Sequence, residues 1–255
     1  QARPLMFEYS DRYIADLIDG IYSGKYTTLD LPSSLYFAIA QYLKKGLYKG
    51  FGGDVKDFSG KDLDLIKELR DNIYMFSAAK TYNEVRDMSE LLTDGDSVRP
   101  FNEFKAEAMK IYGQYNEDWL KAEYNTAIAS GTMAKQWSII ESTKDVLPNL
   151  RYSTTEVACP ICTELDGTVA PVDDDFWNTF YPPNHYNCMC IVLQEDSDVA
   201  VTEDKPDTSD EMDDVFKMNV GKEKVVFSDE HPYFTTAPQD LGENNFGLPI
   251  PDTDE

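Results

Sequence analysis

Cys159 and Cys162 in the run CPICTELDG, followed by His185, Cys188 and Cys190 in PPNHYNCMC, gather all four cysteines of the 255-residue chain and one of its two histidines into a single stretch. A Cys-x-x-Cys turn presents two thiolates to one point, and a second turn can supply the remaining donors of a tetrahedral Zn²⁺. Five donors exceed the four that such an ion takes. The common choice for this spacing is Cys159, Cys162, His185 and Cys188, with Cys190 spare or supporting, although the spacing leaves the choice between Cys188 and Cys190 open. In an extended segment both would point the same way, because strand side chains repeat every two residues. Two plainer readings compete: a disulfide between the halves of the stretch, or buried thiols that pack as small apolar side chains while His185 bonds a carbonyl. If zinc binds, a structural role is expected, since a filled ligand set leaves no position for water.

Other chemistries fit less well. A thioredoxin-like use of CPIC needs a strand before it and a helix after it, whereas Thr163 to Val172 reads as turn and strand. A zinc hydrolase would need a nearby carboxylate as general base, for which Glu164 and Asp166 are the candidates. Asp173, Asp174 and Asp175 could hold Ca²⁺ or Mg²⁺, but an acidic turn of this kind is expected to be solvated. Phe176, Trp177, Phe180 and Tyr181 are spaced as core residues of a short helix or turn. His231, beside a proline, is given no role.

Charge narrows the field further. The formal net charge is −24, and from Tyr152 to Asp204 there is no Lys or Arg against eleven acids. A phosphate backbone finds nothing there to pair with, so direct nucleic-acid binding and nuclease chemistry are not expected. Clustered cysteines, too few to staple a chain of this length, suggest a reducing compartment. No apolar run approaches the length of a membrane span, and QARPLMFEYSDRY lacks the pattern of a signal peptide, so a soluble chain is expected.

The elements that must position the cluster follow from periodicity. With 42% apolar residues the chain can build a core, and its first 150 residues read as mostly helical. Phe7 to Ile18 is one candidate helix. Ser34 can cap a second, with Leu35, Ile39, Tyr42 and Leu43 on one face, until GFGGD from Gly50 to Asp54 breaks it. Ser59 starts a third, striped by Leu63, Ile66, Leu69, Ile73 and Phe76 and closed by TDGDSVRP. Asn102 can cap a fourth, lined by Phe104, Ala108, Ile111 and Tyr115. Asn116, followed by Glu117 and Asp118, suits a fresh N-terminus. The last long helix runs from Trp119 to about Thr143, with Leu120, Tyr124, Ala127, Gly131 and Ala134 as an inner stripe of small residues that admits a close neighbour. Pro148 ends the helical part. TVAPV and CIVLQ then read as strands with a turn at Asp166-Gly167. Ten acids between Glu195 and Asp214 suggest a solvated linker, and EKVVF and HPYFTT a last strand or hairpin. The PDTDE end is expected to be loose.

The compound run TTEVACPICTELDGTVAPVDDDFW, then YPPNHYNCMC, resembles the C-terminal motif of the phage Mu F-like family of minor head or head morphogenesis proteins. The preceding WLKAEYNTAIASGTMAKQW is similar to that family's helix. The resemblance is good over about residues 117 to 194, while residues 1 to 116 match only in being helical. One departure is Met189, where the family usually carries Arg between the last two cysteines.

The resemblance implies a structural virion protein present in few copies, inside the capsid near the portal after assembly in the host cytoplasm. The implied partners are the portal protein and also the major capsid or scaffolding protein. The resulting expectation is an α+β chain: a mainly helical region over 1–116, a small β-containing module over 117–194 tied by the Cys/His cluster, and an acidic linker and tail over 195–255. A plain binding module on some other partner is the remaining alternative.

Overall fold

A computed structural model describes residues 11–155 and 159–252. Phe7 to Ser10, Glu156 to Ala158 of the TTEVACP run, and the last three residues of PDTDE lie outside the described residues. Within them the chain is mostly helical, with one small sheet and one hairpin, as the sequence pattern requires of an α+β chain.

Five long helices come first: α1 Asp11–Tyr22, α2 Ser33–Phe51, α3 Gly60–Ser89, α4 Phe101–Gly113 and α5 Leu120–Thr143. The expected stripe of α3 is buried at Ile66, Leu69, Ile73 and Phe76. Between α3 and α4, TDGDSVRP forms a hairpin of β1 Thr93–Asp94 and β2 Ser97–Val98, with Gly95 at φ +61 in its turn.

Three capping expectations fail, each for a local reason. The helix α2 starts one residue before Ser34, after Pro32, whose carbonyl accepts from Leu35 N at 2.9 Å. The helix α4 starts at Phe101 after Pro100, so Asn102 lies inside its first turn. No new N-terminus forms at Asn116. A π-helical turn over Gln114–Trp119 carries the chain straight into α5, and the buried Asn116 side chain donates to Glu84 Oε1 at 2.7 Å instead of capping.

After α5 come β3 Asn149–Ser153, α6 Pro160–Leu165, β4 Val169–Pro171, α7 Phe176–Thr179 and β5 Ile191–Glu195. The sheet is antiparallel in the order β4-β3-β5, with Leu150 opposite both Ala170 and Gln194, and Tyr152 opposite Val192. Leu150, Tyr152, Ala170 and Val192 are fully buried and form its inner face. Trp177 and Tyr181 are buried as expected, and the Tyr181 hydroxyl donates to Met133 O of α5 at 3.0 Å.

The chain beyond β5 forms α8 Val220–Glu223, α9 Pro232–Thr235 and α10 Gln239–Glu243. Neither EKVVF nor HPYFTT is a strand. Asn72 of α3 takes the place of a strand partner: its Oδ1 accepts from Val226 N and Phe227 N, both at 2.9 Å, and its Nδ2 donates to Phe227 O at 3.0 Å. Pro232 then opens α9. Between Glu195 and Asp214 the chain is not solvated throughout, since Thr208 and Met212 are buried.

Contacts divide the chain into two compact units, one of residues 11–43, 73–122 and 232–252, the other of residues 44–72 and 123–231. The second unit contains the sheet and the whole Cys/His cluster. Within it the C-terminal part of α2 lies against α5 at glycines, as the small-residue stripe anticipates. A Cβ on Gly50 would fall 2.0 Å from Ile128 O, and one on Gly131 would fall 2.5 Å from Leu47 O.

Candidate metal centre

The first half of the cluster is set by a helix start. Cys159 occupies the N-cap of α6, Pro160 takes the first helical position, where its missing N–H costs nothing, and Cys162 follows one turn later. Thr163 donates to Cys159 O from both its N, at 3.0 Å, and its hydroxyl, at 2.9 Å. This corrects the reading of CPIC as a turn without a helix: β3 precedes it and CPIC itself opens α6, six residues long, after which the turn at Asp166-Gly167 and β4 follow as read. The stripe was too short to be visible.

The second half is set by a turn. Cys188 N donates to His185 O at 3.1 Å, and Asn187 adopts φ +60 within that turn, which Asn tolerates better than most residues. The turn folds His185 and Cys188 back onto one another. Cys188 and Cys190 are both buried while Met189 between them is 74% exposed, in keeping with the two-residue repeat of an extended chain.

The fold joins the two halves. The ligand atoms of Cys159, Cys162 and His185 lie within 4.8 Å of one another, and so do those of Cys162, Cys188 and Cys190. Cys162 belongs to both groups. The two groups are thus neighbours joined through Cys162, and the four thiols are free, with no disulfide between the halves. Tetrahedral Zn–S bonds put neighbouring sulfurs about 3.8 Å apart, a spacing that thiols already this close reach with small adjustments. A donor set of sulfur and nitrogen without oxygen suits Zn²⁺ rather than Ca²⁺ or Mg²⁺. The residues fit the metal.

Electrostatics in the cluster show what such an ion would replace. Hydrogen bonds from Cys162 and Cys190, with help from His185, hold the Cys188 thiol far below its ordinary value despite burial. Cys162 is pushed far up by its contacts with Cys188 and Cys190 and by burial. For Cys190 the Cys162 contact acts downward, but Cys188 and burial prevail and raise it to about 11. His185 is raised to about 9 by its hydrogen bond to Cys188, against the effect of burial. Cys159, Cys162, His185 and Cys188 would hold such an ion in place of the protons that now lie between these groups.

Two residues of the site escaped the sequence reading. Tyr152 donates its hydroxyl hydrogen to Cys162 Sγ at 3.4 Å, and Asn184 Nδ2 donates to the Tyr152 hydroxyl at 3.2 Å. Both are buried. Asn184 stands beside His185, but nothing local marks Tyr152, which arrives through strand pairing. The carboxylates proposed as general bases do not join the cluster: Glu164 is exposed, and Asp166 Oδ1 accepts from Thr154 N at 2.8 Å to hold the turn before Gly167. The acidic turn is engaged in structure too, Asp173 with Lys144, Asp174 with Lys205 and Phe176 N, and Asp175 with Asn178. His231 is buried and its Nε2 pairs with the Tyr186 hydroxyl at 2.8 Å.

A family model described as Phage Mu protein F like protein matches residues 64–193, a span that contains the whole cluster. The chain belongs to the phage Mu F-like family. No curated protein and no solved structure gives a significant match. The match begins inside α3 and ends in β5, so the family region takes in long helices as well as the sheet. Membership in the Mu F-like family points to phage head morphogenesis, to a virion location and to capsid-related partners. Among the described residues of this Mu F-like protein no helix is long and apolar enough to cross a membrane.

Proposed function

We propose that the chain is a structural minor head protein of a tailed phage, docked on the portal inside the capsid and acting in assembly or genome delivery rather than in catalysis. The observation that carries this reading is the family match over residues 64–193. A net charge of −24 supports it physically, because an acidic protein beside packaged DNA is repelled by the phosphates and stays available to protein partners. Mass spectrometry of purified heads is the test. Recovery of the chain in stoichiometric, low copy number together with the portal supports the reading, and its absence from heads while it accumulates in the lysate overturns it.

Within that role the cluster is a structural zinc clip, held by Cys159, Cys162, His185 and Cys188 with Cys190 beside them. A three-stranded sheet with short strands has little core of its own, and a bound ion adds its binding energy to the folded state. Zinc, when bound, cross-links the α6 turn to the His185–Cys188 turn; Tyr152 and Asn184 orient the Cys162 sulfur from behind. Metal analysis of the purified chain should return one zinc per chain, removed by chelators only together with a loss of thermal stability. A chain free of metal at full stability contradicts the clip.

A further inference from the structure

Beside the cluster, α5 and the segment leading into β5 enclose an apolar groove of about 350 Å³, walled by Ile128, Ala129 and Thr132 on one side and by Met189 and Ile191 on the other. Its length is fixed at both ends. Asn125 Nδ2 donates to Asn187 Oδ1 at 2.8 Å, and Gln136 Nε2 donates to Val192 O at 2.6 Å. Between these ties α5 advances about 16 Å, and the facing wall runs from the left-handed turn at Asn187 into the first residues of β5. Met189, Ile191 and Leu193 are 74%, 41% and 43% exposed at alternate positions, which lengthens the apolar lip along β5.

No Lys, Arg, Asp or Glu lines the groove, Cys188 and Cys190 of the cluster being among its lining, and the sequence from Tyr152 to Asp204, which supplies one wall, holds acids but no Lys or Arg. A second copy of this acidic chain would be repelled, whereas a basic surface would be drawn in. The Gln136 side chain occupies the carbonyl of Val192 and ties this end of the groove to α5. We infer that this groove is the docking site for an apolar segment of a partner protein flanked by Lys or Arg. The inference rests on the reading of the chain as an assembly protein and names the surface that reading lacks.

The test uses the full zinc-loaded chain and a fluorescently labelled amphipathic peptide of leucine and lysine, with a second peptide in which serine replaces leucine at the same charge, both in about 0.15 M salt. Saturable 1:1 binding of the leucine peptide and at least tenfold weaker binding of the serine peptide are expected. Met189→Glu should weaken the leucine peptide at least tenfold. The added negative charge would by itself strengthen binding of a basic peptide, so a loss reports the apolar contact. Ala129→Glu, on the helix wall and away from the cysteines, should do the same with zinc content and circular dichroism unchanged, while Leu29→Glu, an exposed apolar site outside this unit, should leave binding intact. Equal binding of both peptides, or unchanged binding in both groove variants, overturns the proposal. So does self-association of the chain that Met189→Glu abolishes, which would make a second copy the occupant. None of these results depends on phage heads, so failure here leaves the head-protein reading to its own test.

Discussion

The Tyr152 hydroxyl donates to the Cys162 sulfur at 3.4 Å while accepting from Asn184 Nδ2 at 3.2 Å, a relay that links the middle of β3 to the one thiol shared by both halves of the cluster. All three side chains are buried, so no water reaches the Tyr152 hydroxyl, whose partners are the Cys162 sulfur and the Asn184 amide. Tyr152→Phe removes the hydroxyl and leaves the sulfur and the amide short of a partner. We expect a loss of about 1–3 kcal/mol in urea unfolding, with zinc content retained because no ligand is touched.

Cys162 and Cys190 should behave differently on conversion to serine. Cys162 stands in both ligand groups, so Cys162→Ser should lose the stoichiometric zinc and lower the melting temperature sharply. Cys190→Ser should keep one zinc per chain and melt close to the parent. Loss of zinc in both variants, read by metal analysis and calorimetry, would make Cys190 rather than Cys188 the fourth ligand, and zinc retained in Cys162→Ser would discard the clip.

Two glycine-to-alanine changes, one in the α2–α5 contact and one at the end of α4, should have opposite signs. In Gly50→Ala the new methyl meets the Ile128 backbone at 2.0 Å, and neither helix can yield without moving the other. A loss of about 1–3 kcal/mol is expected. Gly113, at φ −59 and with nothing within 4 Å of an added Cβ, should gain about 0.5–1 kcal/mol as alanine. Chemical denaturation of the two variants side by side checks the contrast.

Asp62, in the first turn of α3, is engaged by Lys135 Nζ and by the Ser138 hydroxyl at 2.8 Å. The Lys135 contact, aided by Ser138 and opposed by burial, holds its carboxyl below the ordinary value. A depressed folded-state value means that its stabilisation is present above the unfolded value of about 3.9 and is lost as pH falls through the folded one. Asp62→Asn should therefore lower stability at pH 7 and make the remaining stability less sensitive to acid, as seen by comparing urea midpoints at pH 7 and pH 2.5.

Where the sequence reading succeeded, a long repeating pattern or a compound motif stood behind it. The α3 stripe, the small residues of α5 and the strands TVAPV and CIVLQ are of this kind. Single-residue signals did worse. Ser34, Asn102 and Asn116 carry good capping side chains, yet Pro32 and Pro100 set two of those starts, and Asn116 pairs with Glu84 inside a continuous helix. The six residues of α6 are too few to show a period, which is why CPIC read as a turn. EKVVF has the composition of a strand, but its peptide groups pair with the Asn72 side chain.

By itself the sequence determined the acidic character, the α+β class and the family, because each is a property of residue types at short or repeating spacing. Only the tertiary structure decided that Cys162 is shared by both ligand groups, that Tyr152 and Asn184 support it, and that α5 and β5 enclose an apolar groove. Those depend on strand register and helix approach, which bring together residues tens of positions apart, and no local pattern encodes where such partners meet.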